Sequence, residues 1–174
     1  MQKNDRHAGK DAQHVEPRMK TKARQLFASD MQVGQTFSGV PRSLDDQAFR
    51  QFSQLTGDDH PIHYDATYAS QTRFGRQVAH GLLVSSMTAL GATVMSAQIE
   101  DSMIAFVEQG FKFRKAALLD DVVTSHFTIE SVEPKPERNM ALVTFKVTLA
   151  NQHGELLADG FHKYLFQLNR THVA

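Results

Sequence analysis

From Leu82 to Gln98 the chain runs for 17 residues without a charged side chain. Leu82, Leu83, Val84, Met87, Leu90, Val94 and Met95 are interleaved there with Ser, Thr, Ala and Gly, so every face of a helix built from it is apolar or small. A helix of that kind is buried on all sides. At about 1.5 Å per residue it extends on the order of 25 Å, the span of a small domain. A membrane span is the competing use of such a run, and its hydroxyls and marginal length argue against that. The remainder of the domain is therefore expected to wrap this segment.

Downstream the hydrophobic period changes to two. Phe111 and Phe113 alternate with Lys112 and Arg114; Val123, Ser125, Phe127 and Ile129 alternate with polar or mixed positions; Ala141, Val143, Phe145, Val147 and Leu149 alternate with Thr and Lys. These are half-buried antiparallel strands. Asn151-Gln152-His153-Gly154 predicts a turn, and Glu155 to Gln167 a last strand with a bulge at Gly160. Upstream, Gln35 to Val40 reads as a short first strand ended by Pro41. A helix follows, with Ser43 and Asp46 in the form of a loose capping box and Phe49, Phe52 and Leu55 on one face. Those rings are expected in the core, where they can also wall one side of a pocket. The element order is that of an α+β domain whose antiparallel sheet wraps a long central buried helix. Periodicity alone leaves other α+β topologies open.

A chain of 174 residues, 41% hydrophobic, buries one core of ordinary size. A single domain is predicted over 25–168, with a flexible basic tail over 1–24 and a short tail over 169–174. The first stretch carries seven Lys or Arg against three acids and few large apolar side chains. Overall, Lys plus Arg and Asp plus Glu are both 19, so nothing global points to nucleic acid or an anionic membrane. With no cysteine there is no disulfide, thiolate nucleophile or cysteine-ligated metal. That suits a reducing compartment, and the N-terminus has no signal-like apolar run. A cytoplasmic protein is expected.

The densest cluster of reactive side chains is Thr56-Gly57-Asp58-Asp59-His60-Pro61-Ile62-His63-Tyr64-Asp65. Gly57 and Pro61 break regular structure, so Asp58 and His63 lie on a turn of restricted shape that can hold both on one side. A carboxylate beside an imidazole is a common acid/base pair. The same residues also serve as ordinary turn formers in polar loops. His60-x-x-His63 with Asp58 has the donors for a zinc site, but no distant fourth ligand is evident, and no metal is predicted. A helical segment from Thr67 to Gln71, ending near Gly75, separates this loop from Phe74-Gly75-Arg76-Gln77-Val78-Ala79-His80-Gly81, which leads into the uncharged run.

The order Gly57-Asp58-x-x-Pro61-Ile62-His63-x-Asp65, then Phe74-x-Arg76 and Val78-x-His80-Gly81, resembles the MaoC-like, R-specific enoyl-CoA hydratase family of the hotdog fold. Gln109-x-x-x-Phe113 and Asp121 fall where that family has its next strand and turn, so the likeness covers residues 35 to 167. The chain departs from the family pattern at His60, usually asparagine; at Gln77 and Ala116, usually proline; and at Asp120, usually glycine.

The resemblance implies hydration of a trans-2-enoyl thioester of CoA or a carrier protein, or the reverse dehydration, with no metal or redox cofactor and coenzyme A only as part of the substrate. It also implies a homodimer or larger homo-oligomer in which two sheets continue into one another near the active site. By motif match, Asp58 and His63 are the catalytic pair holding one water, and they titrate as a coupled unit. Gly81, at the start of the buried helix, offers its N–H to the thioester oxygen. His60 takes the place of the amide that positions the water or the loop. His80 is expected to fix the turn, and Asp59 to be solvated or a cap. Lys112, Arg114 and Lys115, with Arg73 and Arg76, are candidates for the phosphates of coenzyme A or else outward charges of a strand. No dinucleotide fingerprint, phosphate loop or serine elbow is present. Two alternatives stay open: a hotdog thioesterase, which would place a carboxylate on the central helix, and a non-catalytic acyl-CoA-binding or assembly module.

Overall fold

The computed structural model describes residues 22–170. A strand β1 (Thr36–Ser38) and a two-residue β2 (Arg42–Ser43) precede helix α1 (Asp46–Thr56) and three short helices: α2 (Pro61–Tyr64), α3 (Ala66–Ser70) and α4 (Gly81–Ser86). Four long strands follow: β3 (Met103–Phe113), β4 (Val122–Lys135), β5 (Met140–Ala150) and β6 (Leu156–Gln167). They form one antiparallel sheet in the order β1-β4-β5-β6-β3, with β2 also on β4.

Period-two patterning places Phe127 and Ile129 of β4, Val143, Phe145 and Val147 of β5, and Tyr164 and Phe166 of β6 on one buried face. The 81–99 segment lies across that face. Leu90, Met95 and Ile99 pack into this cluster, and Leu83 and Val84 pack into a second one with Leu44, Phe49, Leu149 and Leu157. Phe111 of β3 touches both. A sheet wrapped around a central segment is the expected hotdog arrangement.

The central segment is not one long helix. α4 ends at Ser86, and two 3₁₀ turns follow, Leu90–Ala92 and Ser96–Gln98. The hydroxyls are the cause. Ser85, Ser86, Thr88 and Thr93 donate to the carbonyls of Leu82, Leu83, Ser85 and Leu90, each three residues back. Such bonds compete with the i→i−4 ladder and favour tight turns. Nor is the segment buried all round: Leu82 is 71% and Val94 68% exposed.

Three smaller expectations also change. The α1 cap is Asp45, whose carboxylate accepts from Ala48 N at 2.8 Å, and not Ser43. Leu55 is exposed, while Phe49 is buried and Phe52 partly so. Gly160 is in regular register between Phe111 and Val147, without a bulge. A Cβ there would lie 1.9 Å from the Gly110 carbonyl oxygen, so glycine is required by close approach. The turn at Asn151 is as expected, with its side-chain oxygen accepting from His153 N and Glu155 N.

At the N-terminal boundary, Lys22 pairs with Asp101 at 2.6 Å and the Gln25 amide bonds both Ala97 O and Asp101 N. Lys22 and Gln25 thus dock the chain on the 97–101 turn, and residues 1–21 of the expected tail lie outside the described residues, as do 171–174. Among the described residues no helix is long and apolar enough to cross a membrane.

Candidate active site

α1 ends where Gly57 takes a left-handed conformation, φ 77°, that an L side chain would strain. The reversed chain then enters α2, whose N-cap is His60: its Nδ1 accepts from Ile62 N at 3.2 Å. That is the bond an asparagine side-chain oxygen makes at a cap, which explains how imidazole replaces it. Asp65 caps α3 in turn, accepting from Thr67 N and Tyr68 N. Asp59 makes no cap bond to α2, a role His60 fills.

His63 is oriented by its backbone surroundings. Its Nδ1 lies 2.6 Å from the carbonyl oxygen of Val78, and a carbonyl only accepts, so Nδ1 carries the proton. In the neutral ring Nε2 is then a bare lone pair. Gln77, at a position where the family pattern has proline, donates its amide to the His63 carbonyl at 3.1 Å and ties the two segments together. Asp58 accepts from His60 N at 3.3 Å through one carboxylate oxygen.

The structure brings His80 into the same cluster. Its side chain makes no cap bond to α4. Instead the ring, 4% exposed, stacks on His63 with centroids 3.6 Å apart and planes 26° apart. Its Nε2 is 3.1 Å from the Tyr64 hydroxyl and 3.8 Å from Asp58 Oδ2. Burial, aided by His63, pushes His80 below the ordinary histidine pKa, and Asp58 opposes this only in part. Phe49 and Phe52 of α1 close on the His80 ring at 6.3 and 4.7 Å, so their pocket-facing use is to wall a histidine.

Side-chain atoms of Asp58, His63 and His80 converge within 4.8 Å of one another. The zinc arrangement considered from the sequence used His60, which is absent from this set. A metal is also poorly served by the set itself. Near-parallel stacked rings aim their lone pairs along parallel planes, whereas an ion needs them to meet at one point. Asp58 and the unprotonated Nε2 of His63 are acceptors, and both residues belong to this cluster.

Gly81 is the first residue of α4, where N–H groups lack intrahelical partners. A Cβ there would come within 3.2 Å of the Phe113 ring, so the glycine makes room for that ring to lie over the helix start. Of the remaining motif residues, Arg76 donates to Leu119 O at 2.6 Å and Asp121 accepts from Leu118 N at 2.8 Å, which pins the loop before α4 to the 118–121 turn. Arg114 pairs with Asp159 and Lys115 with Glu155. Arg73 lies over the Phe74 ring, and Lys112 lies near Asp159. Reasoning from sequence missed Tyr64 and left His80 out of the cluster; the apolar wall around His80 comes from Phe49 and Phe52 of α1, 31 and 28 residues away.

Comparison with known proteins adds the family. The chain is similar to a 3-hydroxybutyryl-CoA dehydratase of Methylorubrum extorquens, 26% identical over 137 residues that cover 79% of this chain and 82% of that one. It is similar to an (R)-specific enoyl-CoA hydratase of Rhodospirillum rubrum, 25% identical over 134 residues, 77% of this chain and 87% of the other. Its fold matches the unliganded R-hydratase of Pseudomonas aeruginosa with a TM-score of 0.70 at 25% identity, over 83% of this chain and 88% of that one. A family model described as the MaoC like domain matches residues 28–151, a span that holds every member of the Asp58, His63 and His80 cluster, and the chain belongs to that family.

Proposed function

We propose that the protein catalyses R-specific hydration of a trans-2-enoyl thioester, carried on CoA or on a carrier protein, to the 3-hydroxyacyl thioester, or the reverse dehydration. The observation that carries this reading is the convergence of the Asp58 carboxylate and the His63 imidazole at the entrance to α4. A water bonded to both loses a proton to the pair as its oxygen adds to C3. A proton returns to C2, so the product gains one H and one OH across the former double bond. The pair shares these transfers as one coupled unit. Charge developing on the thioester oxygen meets the Gly81 N–H. His60 acts by holding the loop through its cap. The reaction needs no resident metal or redox cofactor.

The edge strand β3 supports a homodimer. Met103, Ile104, Phe106 and Val107 are all about half exposed on it. A long apolar edge with unpaired backbone groups invites a second copy to extend the sheet. The cytoplasmic location expected from the cysteine-free sequence belongs to the same reading. Of the five cations first considered for coenzyme A phosphates, Lys112 and Arg73 fit best, because Arg114, Lys115 and Arg76 are engaged within the fold.

The test is to incubate the purified protein with crotonyl-CoA and follow loss of enoyl absorbance and the chirality of the product. Formation of the R-3-hydroxybutyryl thioester is expected. Release of free CoA without hydration would overturn the reading in favour of a thioesterase, and tight binding by calorimetry without turnover would make the protein a binding module.

A further inference from the structure

We propose that Tyr64 and His80 form a positioning pair for the Asp58–His63 couple: the Tyr64 hydroxyl occupies the His80 Nε2–H and keeps it from closing on the Asp58 carboxylate, while the His80 ring sets the plane of His63. This rests on the function proposed above and deepens it.

The Tyr64 hydroxyl lies 3.2 Å from the Phe49 carbonyl oxygen, 3.2 Å from the Asp58 carbonyl oxygen and 3.1 Å from His80 Nε2. It has one proton to give, and two of those neighbours can only accept. Its proton therefore goes to a carbonyl, and its oxygen accepts from His80 Nε2–H. The other His80 nitrogen, Nδ1, is buried without a partner among the described residues. Left as a bare acceptor, it costs less than an orphaned N–H would, which selects the same tautomer.

His80 Nε2 stands 3.8 Å from Asp58 Oδ2, beyond hydrogen-bond distance. The Asp58 side chain is 52% exposed and held only by the 3.3 Å bond from His60 N, so a small rotation closes that last step. A charged acceptor outcompetes neutral ones, the tyrosine oxygen and the Asp58 carbonyl oxygen that also faces His80 alike, so without the tyrosine the carboxylate, once rotated into reach, captures His80. Capture would turn Asp58 away from the water and favour a charged His80 against the stacked His63. Among the described residues no further charge faces His80: Asp58, His63 and Tyr64 are its titratable neighbours, and α1 offers it the Phe49 and Phe52 rings. Asp59 acts on Tyr64, whose hydroxyl burial keeps protonated near neutrality.

In the wild type, nitrogen-15 NMR of the imidazoles should find neutral His80 as the Nε2–H tautomer; the Nδ1–H tautomer would overturn the pair outright. Tyr64→Phe keeps the ring and removes only the oxygen. In that variant His80 should titrate at higher pH than in the wild type, and the effect should vanish in Tyr64→Phe/Asp58→Asn. With crotonyl-CoA, Tyr64→Phe should lower kcat about tenfold, the size of one neutral hydrogen bond, with KM little changed and the acid limb of the profile moved to higher pH. Superimposed His80 titrations and pH profiles would refute the proposal while leaving hydration standing. A wild type that does not hydrate crotonyl-CoA would sink the function instead, and the NMR arms would still decide the pair.

Discussion

His162 should make the fold lose stability as pH falls from 6.5 toward 4, and its replacement should remove that loss. The residue is 2% exposed, with Phe106, Phe111, Phe127 and Tyr164 around its ring. Thr88 Oγ1 donates to Ser85 O at 2.6 Å, so it accepts from His162 Nε2–H at 3.1 Å, and Nδ1 is buried unpartnered. Burial lowers the pKa from 6.5 to about 4. Between those values the unfolded chain binds a proton that the folded chain refuses, so stability is full above 6.5, falls with pH, and levels off below 4. At 1.36 kcal/mol per tenfold, the whole loss is about 3 kcal/mol, of which about 2 kcal/mol is felt at pH 5. His162→Phe abolishes this titration and leaves Thr88 bonded to Ser85. The chain has no tryptophan, so urea unfolding is followed by circular dichroism at fixed protein concentration. The wild type should lose about 2 kcal/mol more than His162→Phe between pH 7 and pH 5. Parallel pH dependences would refute the reasoning.

Other substitutions test other parts of the structure. Gly160→Ala places a Cβ 1.9 Å from the Gly110 carbonyl oxygen, and overpacking against backbone should cost about 3 kcal/mol or prevent folding, read by thermal melting. Asp45→Ala removes the cap on Ala48 N and should cost about 1 kcal/mol, whereas Ser43→Ala, away from any cap, should cost far less. His60→Asn keeps an acceptor for Ile62 N, so its melting temperature and its crotonyl-CoA hydration rate should stay close to those of the wild type; loss of either argues that the imidazole does more than cap.

The long strands were legible because each buries one face, and alternation such as Val143, Phe145, Val147 and Leu149 has no other simple cause. The Asp58 and His63 convergence was legible because Gly57 and Pro61 leave the loop few shapes. Residues 82–98 were misread as one helix because apolar periodicity reports burial, not hydrogen bonding; the serine and threonine hydroxyls that tighten the segment count as merely small in such a pattern. The exposure of Leu82 and Val94 was equally hidden, since a sequence does not mark which apolar face the single chain leaves uncovered. His80 and Tyr64 joined the site through long-range packing against α1, for which neither local spacing nor residue type gives a sign.

The most direct measurement is the single-turnover rate of crotonyl-CoA hydration for the wild type, Asp58→Asn and His63→Ala, each shown to be folded by circular dichroism. A water held between one carboxylate and one imidazole predicts that each substitution lowers the rate by at least about 100-fold. It also predicts that the double variant is little slower than either single one, because the two groups act as a unit. Equal rates in all three proteins would contradict the assignment of that pair.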